Sequence, residues 1–551
     1  MLAGLVQDDH QLTLQHVLDR MRRVNGRAKV VTLRTVDGET TEATHAEVGA
    51  RAERLAAGLA RLGITEGDRV ATFCWNTQEH LEAYLAVPCM GAVLHTLNLR
   101  LFPDQLTYIA NHAQDKVIIV DASLVPLLEQ VAGTFEHVER YIVIGEGDTG
   151  GLDPVIPYEE LLGGSGDEPF DWPELDERMA AGLCYTSGTT GNPKGALYSH
   201  KSNVLHALAA STADALGVSA RDRVLPVVPM FHVNAWGMPY AGALAGSDLI
   251  FPGPFLKGEN LAKLIEAERV TLAGAVPTLW MDLLSYADEN HPDLSSLRIV
   301  VCGGAAVPRS LMEAFQERHD MPIVQAWGMT ETSPLAAVAH PPRDTEGEER
   351  WRYRAATGRL FPLLDFRLRG EDGEEVPWDG ESTGEVQVRG PWIASAYYED
   401  DSSEDKFDDG WLATGDIASI DGEGYMRITD RAKDVIKSGG EWISSVELEN
   451  ELMAHPAVAE AAVVAMPHER FGERPLACVV MRAGEEATVD ELRAHLAPRV
   501  AKWWLPDAFA FIDAVPKTST GKFDKKVLRR RLSDGELEVH AVEKAGAGSE
   551  A

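Results

Sequence analysis

From Arg69 onward, short apolar runs of strand character alternate with longer stretches of helical periodicity, and this alternation constrains the fold more than any other feature. RVATF, VIIVD and YIVIG are separated by TQEHLEAYLAVPCM and PDQLTYIANHA. A second series, RVLPVV, SDLIFPG, VTLAGAV and LRIVVCGG, is separated by ENLAKLIEAE, LWMDLLSYADEN and SLMEAFQERH. The expected fold is therefore α/β, with two doubly wound lobes built from βαβ units. After about Gly358 the pattern shifts to short alternating strands between Gly and Asp turns, which predicts a small β-barrel-like unit completing a large N-terminal domain over 1–429. Beyond Asp430 a small mobile α+β domain is expected: a helix in SSVELENELMAH, a hairpin from AEAAVVAMPH to PLACVVMR, and a helix in TVDELRAHLAP. Residues 430–434 then form the linker, 435–537 the small domain, and the Ala, Gly, Glu and Ser-rich stretch 538–551 a disordered tail.

Charge narrows the partners. With 51 basic and 86 acidic residues the net charge is −35, which opposes binding to nucleic acid or to anionic membrane surfaces. The N-terminus has no basic start followed by a long apolar run, and no stretch approaches the roughly eighteen apolar residues of a membrane span. Cys74, Cys89, Cys184, Cys302 and Cys478 are widely spaced and lie mostly in apolar, strand-like surroundings, so buried free thiols in a reducing cytoplasm are expected.

The segment 185–194, YTSGTTGNPK, carries the chemistry. An apolar strand, LCYT, runs into a turn with Gly188 and Gly191, whose small size lets backbone N–H groups approach an anion. Thr186, Ser187, Thr189 and Thr190 add hydroxyl donors, and Lys194 adds a mobile positive charge. The loop is built for a polyphosphate. Pro193 before Lys194 and Gly195 after it exclude the Walker arrangement, in which Gly-Lys-Ser/Thr opens a helix.

This segment resembles the signature of the adenylate-forming superfamily, which includes acyl-CoA synthetases, luciferases and peptide-synthetase adenylation domains. The resemblance extends along the chain through PMFHVNAW, VCGGAA, QAWGMTETSP, TGD, DRAKDVIKSGGEWIS and PKTSTGKFDKK, in that order. Among members it is most similar to bacterial long- and medium-chain fatty acid ligases. It implies ATP, Mg²⁺ and coenzyme A as cofactors and co-substrates, small-molecule partners, and a homodimer.

The resemblance also implies residue roles. Glu331 and Thr186 would hold the metal, and Lys522 would stabilise the reacting carboxylate and α-phosphate from the small domain. Gly303, Gly304 and Ala305 would lie against adenine, together with Gln325, Ala326, Trp327, Gly328, Met329 and Thr330. Trp327 stands where tyrosine is common in the family, and its indole is expected to stack on the purine. Asp416 would bind both ribose hydroxyls, with Arg431 and Lys433 on the nucleotide. His232, Val233, Trp236, Gly304 and Pro334 would border the acyl group, with Trp236 as a gate. Asp430 would be the hinge, and Lys437, Gly439, Gly440, Glu441 and Trp442 would line the path of coenzyme A. The expected activity is a fatty acid:CoA ligation through an acyl-adenylate. Its alternatives are a ligase for short or sulfur-containing acids and an acyl-AMP ligase serving a carrier protein. A serine hydrolase is disfavoured, because the G-x-S-x-G match GESTG at 380–384 falls among the short alternating strands after Gly358 and not at a strand-to-helix elbow.

Overall fold

The computed structural model describes residues 5–7, 9–164, 169–186, 192–370, 372–438, 441–468, 470–518 and 523–542. Its first sheet has seven strands, in the spatial order Val155–Pro157, Arg140–Ile144, Asp115–Asp121, Arg69–Phe73, Val93–Thr96, Ala180–Tyr185, Gly195–Ser199. All pairings are parallel except the last. Helices cover both faces, so the central strands bury both sides; Val117, Ile118, Ile119 and Val120 are all inaccessible to solvent. The helix Gln78–Cys89, expected from its periodicity, is buried all round, and its one deeply buried acid, Glu82, meets Arg51 at 2.7 Å.

The second sheet has fourteen strands. Its parallel part comprises Lys29–Leu33, Asp248–Phe251, Arg223–Pro226, Leu272–Ala275, Ile299–Gly303 and Ile323–Gly328. From Leu335–Val338 onward the pairing is antiparallel and continues through Gly358–Leu360 and Tyr425–Arg431 into Leu412–Ile420, Gly384–Arg389 and Asp365–Arg369. The antiparallel unit expected after Gly358 is thus hydrogen-bonded to the second lobe. It keeps its own core of Phe366, Leu368, Val386, Val388, Leu412 and Ile420, against which Trp327 packs.

The C-terminal unit has a six-stranded sheet. The expected hairpin is Val458–His468 with Gly472–Met481, in register at Ala462 and Cys478. The helices Ser445–Met453, Val489–Leu496 and Lys525–Ser533 complete it. Thr488 and Glu491 form a reciprocal capping box that starts the second helix. His540–Ala541 pairs with Ala508–Phe511, so the chain is held in a sheet inside the stretch expected to be a tail from 538; residues 543–551 lie outside the described residues. All five cysteines are free and buried. Among the described residues no helix is long and apolar enough to cross a membrane.

Candidate active site

A cavity of about 370 Å³ opens where the carboxyl ends of the parallel strands meet the antiparallel unit, the position where open α/β sheets place ligands. One end is lined by Thr186, Asn192, Lys194, Glu331, Tyr397 and Lys406, and the other by His232, Val233, Trp236, Pro334 and Leu335. Gly304, Ala326, Gly328 and Met329 form the wall between, and Gly415, Arg431, Ala432 and Lys433 border it from the linker side. One end is thus polar and charged, the other largely apolar.

The phosphate loop leaves the strand Ala180–Tyr185 and is pinched at its base. The Thr186 N–H donates to the Lys194 carbonyl at 2.9 Å, and the Lys194 N–H donates to Thr186 Oγ1 at 3.0 Å. Lys194 Nζ lies 3.1 Å from Asp400 Oδ2 and over the ring of Tyr397. Ser187, Gly188, Thr189 and Thr190, expected to hold phosphate, lie outside the described residues.

Glu331 sits on a short 3-10 turn, Thr330–Thr332, and is only 3% exposed. Its Oε1 accepts hydrogen bonds from Tyr397 Oη and, at 3.0 Å, from Lys406 Nζ. Burial, with the Glu331 charge adding to it, pushes the Tyr397 phenol well above its ordinary range, so Tyr397 remains a donor. Tyr198 fixes the turn by donating to the Thr330 carbonyl at 2.7 Å. Among the described residues no group of three or more His, Cys, Asp or Glu could hold a metal ion. Glu331 and Thr186 still fit a hard cation that takes one or two protein oxygens and the rest from phosphate and water.

The adenine segment is shaped by close backbone approach. A Cβ on Gly303 would come within 2.5 Å of the Ala326 carbonyl, and one on Gly328 within 1.9 Å of the Pro334 carbonyl. Gln325 is buried and its Oε1 accepts from the Val307 N–H at 3.2 Å, which secures the turn through Gly304 and Ala305. Trp327 is placed differently from expectation. It is 8% exposed, packs in the antiparallel core beside Phe366, and does not line the cavity. It reaches the site through its indole, which donates to Asp416 Oδ2 at 2.9 Å. The other oxygen of Asp416 meets Arg431 Nε at 2.5 Å. The strands Ile323–Gly328 and Leu412–Ile420 are thereby tied together through side chains.

At the apolar end the backbone turns left-handed over consecutive residues, with φ of 47° at Val233, 55° at Asn234, 46° at Ala235, 57° at Trp236 and 74° at Gly237. Each L-residue in that conformation costs about 1–2 kcal/mol. Burial offsets this. Asn234 accepts from Tyr84 Oη at 3.1 Å, and the Trp236 indole fits against Gly274 and Gly303, whose missing side chains leave room for it. Trp236 is 5% exposed and lines the cavity at this end.

Asp430 is fully buried and accepts from the Ser445 N–H at 2.7 Å, from the Ser445 hydroxyl and from the Arg431 N–H at 2.7 Å. Lys525 reaches the same cluster, 2.7 Å from Glu449 and 2.6 Å from Ser445 Oγ. Lys522 lies outside the described residues, but its loop is closed at the base by a bridge between Lys517 and Phe523. Lys437 is exposed, on a strand paired with Glu441–Ile443, and is not brought to the cavity; Gly439 and Gly440 lie outside the described residues, and for Glu441 and Trp442 only the backbone is described. Sequence reasoning missed Tyr397, Asp400 and Lys406. The available signal was a single lysine in the otherwise acidic run EDDSSEDKFDD.

Two α/β lobes followed by a small C-terminal domain that meets them at the buried carboxylate of Asp430 are the architecture of adenylate-forming enzymes. The chain belongs to the AMP-binding enzyme family, whose profile matches residues 19–398, with the AMP-binding enzyme C-terminal domain at 447–522. It is 48% identical over 532 residues to a long-chain-fatty-acid–CoA ligase of Thermus thermophilus, covering 96% of each chain. It is 44% identical to a 3-methylmercaptopropionyl-CoA ligase of Ruegeria lacuscaerulensis, over 95% of this chain and 98% of that one. It is 42% identical to a medium-chain-fatty-acid–CoA ligase of Ectopseudomonas oleovorans, over 95% and 97%. In structure it resembles an anthranilate CoA ligase in complex with anthranoyl-AMP, with a TM-score of 0.86 at 26% identity over 97% of this chain and all of that one.

Proposed function

We propose that this protein is an ATP-dependent fatty acid:CoA ligase that works through an acyl-adenylate. The observation that carries the reading is one cavity with a cationic, hydroxyl-bearing end at Thr186 and Lys194 and an apolar end at Trp236, Pro334 and Leu335. In the first step a carboxylate oxygen of the acid attacks the α-phosphorus and the bond to the β-phosphate oxygen breaks, releasing pyrophosphate. In the second the coenzyme A thiolate attacks the acyl carbon and AMP leaves. Magnesium, when bound, screens the triphosphate. Glu331 and Thr186 are the residues that would hold it.

The chain's own groups divide the remaining work. Lys194 and the hydroxyls of the loop bind the departing pyrophosphate, Asp416 and Arg431 orient the ribose, and Lys433 faces the nucleotide from the linker. Lys522 stabilises charge on the carboxylate and α-phosphate in the first step. Rotation at Asp430 within the linker 430–434 then replaces the Lys522 loop with the strand hairpin at Lys437, which guides the pantetheine arm. The same reading takes 1–429 and 435–537 as the two domains and the protein as a cytoplasmic homodimer; buried free thiols suit that compartment.

Pyrophosphate exchange into ATP, run on wild type and Lys522→Ala with coenzyme A supplied separately, tests the catalytic assignment. A loss of about 10²- to 10³-fold is expected for the variant. Equal exchange in both defeats the role of Lys522. The relative at 44% identity gives a second reading, 3-methylmercaptopropionate, its own standing. Coenzyme A consumption over acids from two to eighteen carbons, with 3-methylmercaptopropionate alongside, separates the two: an optimum at eight carbons or more supports the first, and a preference for the short acids replaces it. Sedimentation velocity tests the dimer.

A further inference from the structure

The carboxylate of Glu331 is all but inaccessible to solvent, and a charge so placed needs a counter-charge. In this structure a lysine supplies it. Lys406 Nζ stands 3.0 Å from Glu331 Oε1 and 2.7 Å from Tyr397 Oη, while its side chain remains about a third exposed at the cavity mouth. Lys406 comes from the segment Asp401–Gly410, where Glu404, Asp405, Asp408 and Asp409 are its charged neighbours. Across the same ring, Lys194 Nζ lies 5.2 Å and Lys406 Nζ 5.4 Å from the Tyr397 centroid. Each ammonium is therefore paired with a carboxylate of the chain, Asp400 for one and Glu331 for the other, and both face the same phosphate end of the cavity.

A polyphosphate entering beside Thr186 brings several negative charges to two ammonium groups, each already paired with a carboxylate of the chain. The Lys406 stem is flexible and its head is a compact charge that can change partner without rebuilding the fold. We infer that Lys406 is a pyrophosphate ligand held in reserve on Glu331: it moves from the carboxylate to the β- and γ-phosphate oxygens, and so leaves Glu331 open. The inference rests on the ligase reading above, since it needs a polyphosphate at this end. It makes Lys406 a binding residue, and it makes Glu331 a competitor for the ammonium whenever no divalent cation is present.

The test is calorimetric titration with inorganic pyrophosphate in the absence of divalent cations. K406M should bind about ten-fold more weakly, the loss of one charge-assisted hydrogen bond. K406R, which keeps the charge, should stay within about three-fold of wild type, a difference of under 1 kcal/mol. E331Q should bind more tightly than wild type, because the ammonium has lost its resident partner, and that gain should vanish in E331Q/K406M. A merely structural Lys406 would not produce this dependence of one substitution on the other. Equal binding by K406M and wild type, or a tightening by E331Q that persists without Lys406, overturns the inference. A wild-type protein that shows no pyrophosphate exchange into ATP overturns the ligase reading itself. Normal exchange with an unaltered K406M overturns only the role of Lys406.

Discussion

The indole of Trp327 donates to Asp416 across two strands of one sheet, at 2.9 Å, with both side chains buried. Asp416 is thus held on both oxygens, by Trp327 on one and Arg431 on the other. Hydrogen bonds to an ionised partner contribute more than neutral ones. Trp327→Phe keeps the ring and removes the donor, so the KM for ATP in pyrophosphate exchange is expected to rise about ten-fold with kcat little changed. An unchanged KM would mean that the indole only fills the core.

Lys525 is the cation of a buried cluster that also contains Glu449, Asp430 and Ser445. Removing it leaves carboxylates without a counter-charge, a change that typically costs about 3–5 kcal/mol. Lys525→Met should therefore lower the urea midpoint of the small domain, and Glu449→Gln in the same chain should recover much of the loss. If the double variant is no more stable than the single, the cluster does not act as a charge pair.

Gly303 faces the Ala326 carbonyl on the neighbouring parallel strand, and an added Cβ would sit 2.5 Å from it. The obstacle is backbone and cannot rotate away. Gly303→Ala should destabilise the protein by about 1–3 kcal/mol and weaken nucleotide binding, read by thermal unfolding with and without AMP.

Burial depresses His45, His80 and His200 to about 4 and His206 to about 3, from the ordinary 6.5. A group whose folded pKa is lowered contributes stability that is fully present above its unfolded pKa and is lost as pH falls toward the folded value. Stability should hold above about pH 6.5 and fall as the solution is acidified toward pH 4, as these rings must charge on unfolding but not in the fold. His206 accepts from the Leu335 N–H at 3.1 Å, so His206→Gln should flatten that slope in urea titrations at successive pH values. An unaltered slope would place the acid sensitivity elsewhere.

Trp236 lines the apolar end of the cavity from a left-handed turn. Trp236→Ala removes the large ring and should shift the profile of acid chain lengths more than the KM for ATP. An unchanged profile would remove the gate role from Trp236.

The layered α/β plan, the positions of the long helices and the hairpin Val458–His468 with Gly472–Met481 were legible in the sequence, because strand and helix periodicities are local and the turn chemistry between them is strong. The glycines and hydroxyls of the segment 185–194 stand side by side in the chain, and those of 187–191 lie outside the described residues. The antiparallel strands after Gly358 were readable as strands but not as a continuation of the second sheet, since pairing partners such as Gly358 and Met426 are far apart in sequence.

What the sequence determined by itself is therefore whatever depends on neighbours along the chain: element type and the ordered motifs that place the chain among adenylate-forming enzymes. Only the tertiary structure decided that Trp327 donates to Asp416 from within a core, that Lys406 and Tyr397 hold Glu331, and that Lys525 joins the cluster around Asp430. These pairings arise because a charge or donor taken out of water must find a partner wherever folding brings one, and no spacing in the chain records where that will be.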